Sequence, residues 1–72
     1  MTERQRYVFR VCEYVDGTPW IMTDPWDGSL SILQDGFLGF DLTKGTTLAE
    51  AEQIADRLND VMENIVYTSL KD

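Results

Sequence analysis

The chain has no histidine, one cysteine, two prolines and only six basic residues among its 72. Each scarcity removes a class of function. Histidine is the commonest general base near neutrality and a common metal ligand, so hydrolase, transferase and zinc chemistry lose their usual residue. Cys12 alone cannot close an intramolecular disulfide, and with no base beside it, it is not an activated nucleophile. It reads as a small apolar residue in a half-buried strand. Asp24 and Asp27 bracket a Pro-Trp pair, but a calcium loop needs more oxygens at close intervals; turn formation accounts for both. The five glycines make no phosphate-cradling motif. The expectation is a non-enzyme with no catalytic residues, no metal and no cofactor.

Long apolar runs are missing as well. None approaches the ~20 residues that cross a bilayer, and the polar start Met1-Thr2-Glu3-Arg4-Gln5-Arg6 leads into no signal-type apolar stretch. An unpaired cysteine suits a reducing compartment. These features predict a soluble cytoplasmic protein with no membrane partner.

Positive charge is scarce and unevenly placed. Through Tyr14 three arginines face two glutamates, a net of +1; from Val15 onward the net is −8, making −7 overall. Phosphate-backbone binding needs clustered Lys and Arg, so nucleic acid is excluded as an expected partner. The acidity itself is explained by solubility. A chain this short forms one domain with a small core, and without a disulfide or metal its stability calls for tight packing or self-association.

What is present organises around residues 47–64. Leu48, Ala51, Ile54, Ala55, Leu58, Met62 and Ile65 recur at helical spacing, and Glu50, Glu52, Gln53, Asp56, Arg57, Asn59, Asp60 and Glu63 fill the other face. Thr47 and Glu50 have capping-box spacing, and Asn64 suits a left-handed stop. Upstream, residues 6–15 alternate as a strand, and Asp16-Gly17 is a two-residue hairpin signal. That turn predicts Tyr14 opposite Pro19, Cys12 opposite Ile21 and Val11 opposite Met22. Pro19 then falls at a non-hydrogen-bonded pair, where its missing N–H costs nothing against the first strand. Further strands are predicted over 29–33 and 37–42, joined at Asp35-Gly36 with Leu33 opposite Leu38, though longer loops fit nearly as well. Residues 65–70 form a short last strand or an ordered tail, and residues 1–5 a flexible lead-in. The fold expected over 1–72 is a single α+β domain: an antiparallel meander of three to four strands across 6–42, with one helix on one face.

The stretch Gly45-Thr46-Thr47-Leu48-Ala49-Glu50-Ala51 resembles the strand-to-helix junction of small antitoxin domains of the HicB type. The likeness is confined to these residues. That family's strand order and its DNA-binding extension are not evident in the chain. What the resemblance implies is an antitoxin-like neutralising role.

One helix covers one face. On the predicted registers the uncovered face carries Val8, Cys12, Tyr14, Ile21, Ile32 and Phe37 among Arg6 and Arg10, more apolar than a solvated sheet face. These residues are the expected interface, with Trp20 and Trp26 as partner anchors, unless 65–70 folds back over them. By sign, Arg6 and Arg10 would pair with acids of a neighbouring subunit, such as Glu13, Asp24 or Asp27. The function expected is a small acidic interaction module that pairs with itself as a homodimer, with another protein, or both. Two alternatives are neutralisation of a basic partner by the acidic surface and capture of a small apolar ligand near the tryptophans.

Overall fold

The computed structural model describes residues 1–34 and 36–70. Among these, five strands and one helix follow in the order β1 (Thr2–Gln5), β2 (Tyr7–Glu13), β3 (Pro19–Pro25), β4 (Gly39–Asp41), α1 (Leu48–Val61) and β5 (Ile65–Thr68). β2, β3 and β4 form an antiparallel meander, with α1 packed against β2 and β3. The expected α+β fold is the fold observed. Residues 1–5, expected to be a flexible lead-in, supply instead a strand that pairs antiparallel with β5 in a separate two-stranded ribbon. The radius of gyration is 13.4 Å, against about 11 Å for a compact chain of this length.

The first hairpin turns at Asp16-Gly17, but through a three-residue loop. The Gly17 N–H donates to Tyr14 O (2.8 Å), the Tyr14 N–H donates to Thr18 O (2.9 Å), and Gly17 takes φ +87°. This is a type I turn followed by a left-handed glycine. Asp16 braces it by accepting the Thr18 N–H at 2.9 Å, a bond that lowers the carboxyl's pKa. The extra residue shifts the register by one, so Cys12 opposes Trp20, Val11 opposes Ile21 and Glu13 opposes Pro19. A one-residue slip exchanges the faces of the whole strand. The two-residue register would put Asp24 opposite Phe9, a carboxylate beneath the helix. The observed one puts Thr23 there, buried, with its hydroxyl donating to Leu38 O at 3.1 Å. Pro19 still sits at a non-hydrogen-bonded pair with β2.

The second predicted hairpin does not form. Asp35 lies outside the described residues, residues 29–33 are not a strand, and β4 pairs directly with β3, with Ile21 opposite Phe40. A side chain takes the place of a ladder there. The Gln5 amide accepts the Ile32 N–H (2.8 Å) and donates to Leu30 O (2.9 Å), and the Tyr7 hydroxyl donates to Gln5 Oε1 (2.9 Å).

The helix begins as its capping box dictates. Thr47 Oγ1 accepts the Glu50 N–H (3.1 Å) and Glu50 Oε1 accepts the Thr47 N–H (2.9 Å). The second bond lowers the Glu50 pKa. The helix ends at Val61, with Met62 an extended cap, rather than at a left-handed Asn64. Ala51 and Ala55 are its buried residues, and the small side chain of Ala55 lets the helix lie close on Phe9 and Ile21.

Candidate functional site

Alternation along β2 and β3 separates the expected interface residues. Val8, Cys12 and Tyr14 share the helix-free face, now joined by Trp20 and Met22. Tyr14 stacks on Trp20 at 5.5 Å between centroids, and Trp20 on Phe37 at 6.1 Å. Tyr14 and Phe37 are 47% and 58% exposed, so residues 65–70 do not seal this strip. The Tyr14 hydroxyl donates to Asp41 Oδ1 at 2.5 Å, and this bond, with the nearby carboxylates, raises the phenol's pKa above 10.0. Gly39 is the floor under Trp20: a Cβ there would lie 2.9 Å from the ring. It marks a close approach of an indole rather than of another backbone.

Two of the expected interface residues lie elsewhere. Ile21 is a core residue at 1% exposure, carried to the helix side by the register. Ile32 sits in the loop pinned by Gln5, outside the sheet. The anchors part company as well, since six residues of β3 put Trp26 about 20 Å from Trp20. Arg6 lies over the Trp26 ring at 4.3 Å, and Arg10 forms an ion pair with Asp24 of its own chain. The far half of the helix-free face is therefore charged, and its cations have partners within the chain.

A second apolar surface lies on the helix side. Because α1 rests on β2 and β3, the inner face of β4 is left without a roof. Phe40, Leu38 and Leu42 from the β4 segment face Ile54, Leu58 and Met62 of the helix across a groove floored by Phe9 and Ile21. Its volume is about 400 Å³, and Asn64 and Ile65 close one end. Phe40 (42%), Ile54 (38%) and Met62 (47%) remain open to solvent. The sequence carried a signal for it: the helical stripe is wider than the two alanines it buries. Without the correct register there was no way to tell that β4 fell beyond the helix's reach.

The sheet's two edges differ. In β2 the Phe9 N–H and C=O point outward, and Asn59 meets both: its Oδ1 accepts the N–H at 2.8 Å and its Nδ2 donates to the C=O at 3.0 Å. The side-chain amide stands in for a neighbouring strand. Among the described residues no side chain gives the outer edge of β4 such cover. The Thr23 N–H bonds to Leu38 O, so by alternation Phe40 faces β3 while Gly39 and Asp41 direct their backbone groups outward. No other described strand pairs with that edge.

Among the described residues no cluster of three or more Cys, Asp or Glu is placed to hold a metal ion, and no helix is long and apolar enough to cross a membrane. Comparison with protein-family models, with curated proteins and with solved structures finds no match to this chain.

Proposed function

We propose that this chain is a non-catalytic protein-interaction module that works as a self-associated pair. The observation that carries the reading is the roofless groove between α1 and β4. Among the described residues Tyr7, Phe9, Ile21, Ala51 and Ala55 form the buried apolar core, a small core for one helix and one sheet. A second molecule over Phe40, Ile54 and Met62 would extend it without loss of polar contacts. The aromatic strip Tyr14–Trp20–Phe37 stays available on the opposite face for a further protein, aromatic residues being enriched at such surfaces.

Sedimentation velocity over a micromolar concentration series tests the reading. A concentration-dependent dimer is expected, and a monomer throughout would refute it. A second reading, capture of a small apolar ligand, draws support from the groove's volume, which falls in the usual range for such sites. The groove lies on the opposite face of the sheet from Trp20, so a ligand there would be sought by shifts of the Met62 methyl resonance.

A further inference from the structure

We infer that the outer edge of β4 receives β5 of a second copy of this chain, whose Tyr67 side chain enters the groove beside Phe40. This rests on the self-association proposed above and names its geometry. The β1–β5 ribbon is the part of the chain that needs a neighbour. Two-stranded ribbons are marginal in water, and Thr2, Glu3, Arg4, Val66, Tyr67 and Thr68 are all exposed. The elongated shape, 41 × 24 × 20 Å, agrees with a ribbon that meets the body of its own molecule only at its base, through Gln5 and Ile65.

The two edges match in spacing. The Ser69 N–H bonds to Met1 O at 3.0 Å, so by alternation Tyr67 faces β1 while Val66 and Thr68 send their backbone groups outward. Gly39 and Asp41 present the same two-residue spacing. An antiparallel register with Gly39 opposite Thr68 and Asp41 opposite Val66 sets all of β4 against β5. Directly opposed residues share a face, so Tyr67 comes beside Phe40 on the helix side. The other ribbon strand is the poorer fit, since any register in which Thr2 and Arg4 bond to β4 points Glu3 into an apolar groove.

The result is an antiparallel sheet in the order β2-β3-β4-β5-β1, the last two strands from the partner, repeated by the two-fold axis. The half-exposed side chains of Leu38, Phe40, Ile54, Met62 and Tyr67 on the helix side, with Val66 beside Asp41 on the other face, bring the buried area to the order of 1,000 Å² in total, the lower bound for a specific interface.

The test is disulfide trapping in a Cys12→Ser background, because a backbone-bonded antiparallel pair brings Cα atoms to about 5.5 Å, within disulfide reach. Asp41→Cys with Val66→Cys should give a covalent dimer under mild oxidation, and either cysteine alone should not. On the unaltered chain, the Gly39 and Asp41 amides should exchange more slowly as concentration rises. Tyr67→Ala should weaken the dimer at least tenfold, while Phe37→Asp, on the other face, should not. A dimer that neither cross-links nor protects Gly39 and Asp41 would overturn this inference and leave the proposed function standing. A cross-linked monomer would also overturn it, by placing the strand addition within one chain. A monomer at every concentration would remove both.

Discussion

Asn59→Ala should destabilise the fold by about 2–4 kcal/mol, a large loss for a polar residue on the helix surface. Asn59 is only half-buried, yet its amide makes the two bonds that the Phe9 backbone would otherwise lack, at 2.8 and 3.0 Å. Phe9 is 8% exposed and belongs to the central apolar cluster, so water reaches its main chain poorly. Leaving a buried donor or acceptor unmet costs about 1–3 kcal/mol apiece, and two are stranded together. The lower half of the summed range applies because β2 is an edge strand and part of the loss can be recovered from solvent. Asn59→Asp separates the two bonds: it keeps an acceptor for the N–H but sets a carboxylate against the Phe9 carbonyl, and should cost more than half as much. The assay is urea unfolding at one fixed protein concentration, since self-association would shift the midpoint. With a slope of about 1 kcal/mol per molar for so small a domain, the midpoint should fall by roughly 2 M or more at unchanged slope. Amide exchange at Phe9 should accelerate in parallel. A loss below about 0.5 kcal/mol, the range of ordinary surface substitutions, would show that the amide bridge is incidental and that this edge needs no cover.

Ile21→Asp should abolish folding at any concentration, because it buries a carboxylate in the core, whereas Phe37→Asp should leave the circular dichroism spectrum intact; equal behaviour would contradict the register. Raising the pH should release Tyr14 from Asp41. With the folded pKa raised, the bond's contribution is present below 10 and lost as pH rises through the raised value. Phenolate absorbance should place this titration lower in Asp41→Asn, and an unmoved midpoint would refute the cause. Self-association should strengthen with added salt, because two chains of −7 repel; weakening by salt would point instead to ion pairs across the contact.

The helix start and the polarity of β2 were legible in the chain because both are set by near neighbours: Thr47 with Glu50, and the alternation of Tyr7, Phe9 and Val11. The hairpin register was not, although its turn was correctly placed. Asp16-Gly17 serves a two-residue and a three-residue loop alike, and the choice is made some distance away, by whether Asp24 or Thr23 lies beneath the helix. That one residue moved Ile21 from the expected interface to the core and brought Trp20 into the aromatic strip. Asn59 was hidden for a related reason. On a helical wheel it belongs with the polar face, and only the path of β2 beside it reveals two backbone groups waiting for an amide. The ribbon was half legible, since Ile65-Val66-Tyr67-Thr68 has the residue types of a strand while Thr2-Glu3-Arg4-Gln5 carries no such mark.

The pairing of Thr2 with Thr68 ties together positions separated by almost the whole chain. Contacts of such span carry the largest loop-closure cost and form late, so the domain should be assembled, helix included, before its ends are knotted. The ends are then hostages to one another: clipping a few residues from either would leave the opposite strand with no described neighbour in its own molecule. An appended tag at one extremity would weigh on both, and a short peptide bridging Met1 to Ser69 would make the knot permanent.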